Sequence, residues 1–292
     1  MESSDISVDL DAAWYRRSVG VALMRLRERN KLTQEQAARR LHWSLSKISR
    51  GENAAHALSV TDVEALLRLY AADGVDEARI LESARRALEP SWWHPFRDIA
   101  SPEFRRLLSY ERSAEGLRAF HPSLIPGLLQ TEEYARALIT MWIEEPDMLK
   151  RHVELRMRRK ELLRRQPAPN ATFVIAEAAL YNRIGGPETM RDQLGSLREM
   201  ALGAQLRLGV VPFTDPAFPA MLLGFDVIDL PHGEVALFLE TPHEARTARD
   251  EEHLNSRYAG YFAELCERAR FGSAAAALLG RALERLGADG DS

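Results

Sequence analysis

The chain has 292 residues, 46% of them hydrophobic and 28% charged, a length that accommodates two or three domains with separate cores. No apolar run approaches the roughly 18 residues of a membrane span, and the acidic stretch from Met1 to Asp11 lacks the basic start and apolar block of a signal peptide. Cys266 is the only cysteine; this excludes an intrachain disulfide and a cysteine-based zinc site, and a reducing cytoplasm is the expected compartment.

The net charge of −4 is unevenly distributed. From Ser18 to His56, eight Lys and Arg (25, 27, 29, 31, 39, 40, 47 and 50) stand against three Glu (28, 35 and 52), a local +5. From Pro90 onward, 25 basic residues stand against 29 acidic ones. A positive field confined to one stretch is the footprint a phosphate backbone requires. The acidic remainder argues against nucleic acid coating the whole chain.

In chain order, residues 1–14 carry little apolar pattern and are expected to be mobile. Val19, Ala22, Leu23 and Leu26 predict a helix from Ser18 to Asn30. In the next helix, Thr33 is the expected N-cap and Gln36 completes a capping box, with Ala37, Ala38 and Leu41 as its apolar stripe. His42-Trp43 makes a turn. Ser44 caps a further helix that buries Ile48 and turns Leu45, Ser46, Lys47, Ser49 and Arg50 outward. Short hydroxyls, two cations and one apolar residue suit a major groove, where Arg takes guanine and an apolar group meets a thymine methyl. A fourth helix is expected to be capped by Thr61 and closed by Asp73-Gly74, and a fifth to begin at Asp76.

Leu32, Thr33, Gln34, Ala38, Leu41, Ser44, Ile48, Ser49, Arg50, Glu52 and Asn53 together resemble the helix-turn-helix of the XRE family of phage-type repressors. The resemblance implies a five-helix, lambda-repressor-like DNA-binding domain over residues 15–89. It places Leu45, Ser46 and Arg50 at base edges, and Gln34, Ser44, Lys47, Ser49 and Asn53 at phosphates or in support of register. Glu52 is expected to be structural, paired with a nearby Arg. The chain departs from the family at the turn (His42 for Gly), at Gly51 (a core Ile) and at Ala54 (Gly). Trp43, where Val is common, is expected to fill the space left by Gly51.

Pro90, Trp92-Trp93 and Pro95 mark a linker at 90–100. Ser101-Pro102-Glu103 opens a helix expected to reach Phe120. Two more follow, from Thr131 and from Pro146, the second running to about Arg165 and densely basic from Arg156. That basic run is read as a solvated face or as a contact to flanking DNA or a partner. Strands are expected at Thr172–Ala176, Leu206–Val211, Gly224–Leu230 and Val235–Glu240, the last two forming a hairpin through Pro231-His232-Gly233. Helices are expected from Glu177 to Arg183, from Pro187 to Ala201, and over 250–270 and 273–286. The fold class is therefore mainly α with an α/β part: a five-helix domain, a helical segment, and a C-terminal α/β domain with a sheet of about four strands, spanning 101–288.

Residues 93–286 resemble the C-terminal domain of unknown function of actinomycete XRE-type regulators, an antitoxin-like group. The residues that carry this are Tyr110-Glu111, Ile125–Thr131 with Tyr134-Ala135, Glu177-Ala178-Ala179-Leu180, Gly185-Gly186 with Gln193-Leu194, and Val210-Val211-Pro212-Phe213. It implies a transcriptional regulator, often paired with a small protein encoded nearby. The expected partners are double-stranded DNA, a second copy of the chain, and a small protein or small-molecule effector at residues 101–288. An antitoxin-like protein that neutralises a small partner and binds DNA for autoregulation is the alternative. The eight histidines show no metal-ligand spacing, no nucleophile or phosphate-loop motif is present, and neither enzyme chemistry nor a cofactor is expected.

Overall fold

The structure, a computed structural model, describes residues 10–240, 245–248 and 251–288. It divides into two compact units, one ending at Pro95 and the other beginning at Phe96.

The first unit is built from α1 (Ala12–Arg29), α2 (Gln34–Leu41), α3 (Leu45–Glu52), α4 (Val60–Leu69) and α5 (Gly74–Ala87). Leu23, Ala37, Ile48, Val63, Leu66, Leu67, Tyr70 and Ile80 form its core. Polar caps decide where the helices start. Thr33 accepts from the Gln36 amide while the Gln36 side chain accepts from the Thr33 amide, the expected capping box. Ser44 caps α3.

Three boundaries differ from the sequence expectation. Helix α1 begins at Ala12 because Asp11 caps it, accepting from the Ala13 amide at 2.8 Å and from the Ser91 hydroxyl at 3.0 Å. The cap of α4 is Ser59, which accepts from the Asp62 amide at 3.1 Å, and not Thr61. Asp73 opens α5 and does not close α4; Ala71, at φ +47°, has already turned the chain.

The second unit contains α6 (Pro102–Arg112), β1 (Gly116–His121), α7 (Glu132–Thr140), α8 (Pro146–Lys160), β2 (Asn170–Ala176), α9 (Gly186–Leu202), β3 (Arg207–Val211), β4 (Phe225–Asp229), β5 (Val235–Glu240), β6 (Ala245–Ala248), α10 (Glu252–Arg268), β7 (Arg270–Phe271) and α11 (Ser273–Ala288). The chain is thus mainly α with an α/β part, as expected. Among the described residues, its sheet has seven strands in the order β6-β5-β4-β1-β2-β3-β7. β2 to β5 lie at the expected positions, and β4-β5 is the expected hairpin. β1, β2 and β3 run parallel and the remaining pairs antiparallel. On one face, Phe120, Val174, Val211, Phe225 and Leu237 pack against Phe262 and Leu265 of α10.

β1 is the main addition. The helix expected to reach Phe120 ends at Arg112, and residues 116–121 instead pair with β2 on one side and β4 on the other. Such long-range pairing overrides local helical spacing. The segment expected as a helix from Glu177 to Arg183 is one short 3-10 turn, Glu177–Leu180.

The basic run after Arg156 turns largely inward. Arg159 donates to both oxygens of buried Glu111, at 2.6 and 2.5 Å. Arg156 donates to Gln130 Oε1 at 2.6 Å, Lys160 donates to the Gln130 carbonyl, and Arg165 donates to the carbonyls of Arg112 and Ala114. Around the same loop, Gln193 accepts from the Thr131 amide at 2.7 Å and donates to the Leu129 carbonyl at 3.0 Å. Much of the C-terminal motif set therefore serves to satisfy one irregular backbone segment, as buried polar groups require. Arg158 and Arg164 remain exposed.

Candidate nucleic-acid interface

Helix α3 is short, and isolated helices of this length are unstable in water. Its orientation is set by contacts at both ends. At the C-terminal end, Arg27 of α1 forms a two-pronged pair with Glu52: Nε to Oε1 at 2.7 Å and Nη2 to Oε2 at 2.9 Å. The side chains are 10% and 3% exposed. Glu52 is thus structural, as expected, and its guanidinium partner is held protonated by that hydrogen bond. Arg27 Nη1 also donates to the Leu32 carbonyl, tying the start of the α2 region to the same point. Nearby, burial and the Glu52 carboxylate push the Tyr70 phenol well above its ordinary value, so it stays neutral.

Gly20 allows this approach. A Cβ there would stand 2.4 Å from the Glu52 carbonyl oxygen and 2.8 Å from that of Gly51. At the N-terminal end, Lys47 donates to Asp62 of α4 at 2.6 Å, with its ammonium 3.9 Å from the centre of the Trp43 ring. A cation over an indole face adds attraction to the ion pair.

These contacts revise one expectation. Leu58, not Trp43, occupies the space at Gly51, where an added Cβ would lie 2.7 Å from Leu58 Cδ1. Trp43 lies at the edge of the core and takes up Lys47. Lys47 and Gln34 also have partners inside the unit, since Gln34 Nε2 donates to Glu52 Oε2 at 2.8 Å. Asp62 and Gly20 escaped the sequence reading because nothing local marks a partner far along the chain.

The outward set is Ser44, Leu45, Ser46, Arg50 and Asn53, all exposed, with Ser49 half-buried beside them. Leu45 is 45% exposed, an apolar side chain left in water between two serines. Arg50 Nε donates to the Ser46 carbonyl at 3.2 Å, which lays the guanidinium along its own helix. Asn53 Nδ2 reaches Ser49 Oγ at 3.4 Å. Arg25, Arg29, Lys31, Arg39 and Arg40 are exposed on the same unit. Most of the local positive charge survives folding: the buried Arg27–Glu52 pair removes one charge of each sign, and Asp62, outside residues 18–56, offsets Lys47. Both turn positions that depart from glycine adopt the glycine conformation: His42 has φ +55° and Ala54 has φ +56°.

Residues 18–80 match the family model described as a helix-turn-helix domain. The protein is a helix-turn-helix DNA-binding regulator. Residues 104–281 match the family described as a domain of unknown function (DUF5753), and the chain belongs to that family. No curated protein and no solved structure matches it. Among the described residues, no helix is long and apolar enough to cross a membrane, and no three His, Cys, Asp or Glu residues gather as metal ligands.

Proposed function

We propose that this protein is a sequence-specific transcriptional regulator of the XRE type, acting in the cytoplasm as a homodimer on a two-part operator. Residues 15–89 read DNA and 101–288 dimerise and regulate, with 90–100 between them. Helix α3 enters the major groove with Leu45, Ser46 and Arg50 at base edges. Ser44, Ser49 and Asn53 meet phosphates, while Gln34 and Lys47 set register from their partners Glu52 and Asp62. The observation that carries this reading is the exposed Leu45–Ser46–Arg50 face on a helix clamped at both ends. Selection from a random duplex pool tests it. The wild type is expected to enrich an inverted repeat with half-sites about one helical turn apart. Arg50→Ala is expected to lose the enrichment with its circular dichroism unchanged. Unchanged enrichment by Arg50→Ala contradicts the assignment.

Regulation is assigned to the second unit, through a small ligand or a small partner protein. The antitoxin-like alternative draws on Met141 and Trp142, 57% and 80% exposed side by side at the end of α7, since Met and Trp are enriched in protein interfaces. Co-purification with the product of an adjacent short reading frame, lost on Trp142→Ala, is the outcome that favours it.

A further inference from the structure

The two cations of α3 are held in different ways. Arg50 donates to a carbonyl of its own helix, at 3.2 Å, and stays exposed. Lys47 is drawn back toward α4. Its ammonium meets Asp62 Oδ1 at 2.6 Å and stands 3.9 Å from the centre of the Trp43 ring. Trp43 belongs to the turn before α3 and packs at the edge of the core, so Lys47 is gripped from two sides by parts of the fold outside its own helix.

Asp62 lies in the first turn of α4, where its backbone amide donates to the Ser59 hydroxyl at 3.1 Å. That cap uses the backbone of Asp62, and the carboxylate is turned to α3. The pair is only partly covered, its side chains 36% and 23% exposed. Partly exposed pairs are weak, whereas a lysine on a DNA phosphate releases a counterion and strengthens binding to any sequence. Asp62 and the phosphates therefore compete for one ammonium, on the face that carries Ser44, Leu45 and Ser46.

We propose that Asp62 is a specificity-determining residue that contacts no base: it withholds Lys47 from the phosphates and, through the pair, holds the N-terminal end of α3 against α4. This rests on the reading that α3 enters the major groove. A released Lys47 adds affinity for every duplex, because phosphate contacts carry no sequence information. The intact pair adds none of it. It fixes instead the direction of Leu45 and Ser46, the two residues before Lys47, toward base edges.

The full-length protein is titrated with its selected duplex and with a scrambled duplex of the same length, by fluorescence anisotropy, between about 50 and about 200 mM salt. Asp62→Asn keeps the shape of the side chain and removes its charge. One added phosphate contact steepens the slope of log affinity against log salt by about 0.9. On the scrambled duplex, the ratio of variant to wild-type affinity is therefore expected to be about 3.5-fold larger at the low-salt end than at the high-salt end. On the selected duplex, loss of the pair offsets the gain, and the preference for selected over scrambled is expected to fall by about two- to fivefold. Asp62→Asn/Lys47→Met is expected to restore the wild-type slope, which assigns the gain to Lys47. Circular dichroism confirms the folding of both variants. An acid in the first turn also favours the helix dipole, but losing that contribution alone does not steepen the salt slope. A wild-type slope in Asp62→Asn, a double variant that keeps the steeper slope, or an unchanged preference overturns the proposal while a selective wild type leaves the groove reading in place. A wild type that selects no duplex removes that reading and the proposal with it.

Discussion

Arg27→Met probes the anchoring of the recognition helix. In the wild type, the Glu52 carboxylate accepts two bonds from Arg27 and one from Gln34, in a site where its side chain is 3% exposed. Methionine preserves the volume of the arginine stem and removes the charge. Glu52 then remains buried with the Gln34 amide alone, and the Leu32 carbonyl loses its Arg27 donor. Stranding one member of a buried pair costs about 3–5 kcal/mol, whereas replacing both by apolar groups is often close to neutral. Small domains have total stabilities near the lower end of about 5–15 kcal/mol, so the single change removes most of the first unit's stability. Arg27→Met/Glu52→Leu is expected to regain most of the loss. Urea unfolding followed by tryptophan fluorescence reads this unit well, because four of the chain's five tryptophans (14, 43, 92 and 93) lie within it. A cost below about 1 kcal/mol, the range of exposed pairs, or a double variant no more stable than Arg27→Met refutes the reasoning.

Gly20→Ala directs a methyl at two backbone carbonyls of α3; it should cost about 3 kcal/mol, the upper part of the overpacking range, read as a fall in the same urea midpoint. His42→Gly and Ala54→Gly act in the opposite direction. A left-handed L-residue costs about 1–2 kcal/mol and glycine's chain entropy returns about 0.5–1 of it, so each should stabilise by roughly 0.5–1 kcal/mol and raise that midpoint. In the second unit, burial, with Arg156 and Arg151 nearby, lowers the pKa of His152 below 6.5. The unfolded chain therefore takes up the proton first. The stability linked to His152 is complete above about pH 6.5 and is lost as pH falls from there through the folded value. Scanning calorimetry at about pH 7.5 and about pH 5.5 should show a smaller acid-induced fall for the second unit in His152→Asn than in the wild type.

The first unit was legible because its signals are local. The Thr33–Gln36 box, the Ser44 cap, the small residues at Ala37 and Ala38, and the outward Leu45 and Arg50 all lie within one stretch of chain. What the sequence did not reveal depends on distant partners: Lys47 meets Asp62, Gly20 meets Glu52, and Leu58 fills the space at Gly51. The same distinction governs the second unit. Strands with continuous apolar runs, such as 172–176, could be read directly. β1 could not, because Leu117 falls at helical spacing from Tyr110 and Ala114, and only its pairing with β2 and β4 makes residues 116–121 a strand. Gly116 was the available local signal, a poor helix former set where a Cβ would lie 2.6 Å from Asp229 Oδ2. The basic run from Arg156 to Arg165 resembled a solvated face or an external contact surface because its carbonyl and carboxylate partners lie about 30 to 50 residues away in sequence.

The central claim is that the exposed face of α3 chooses where on DNA this protein binds. Genome-wide mapping of bound sites, with wild type and Arg50→Ala expressed at equal levels, tests it most directly. The account predicts discrete wild-type sites sharing one inverted repeat, and their loss in Arg50→Ala. Wild-type occupancy without a shared sequence, or the same sites retained by Arg50→Ala, contradicts it.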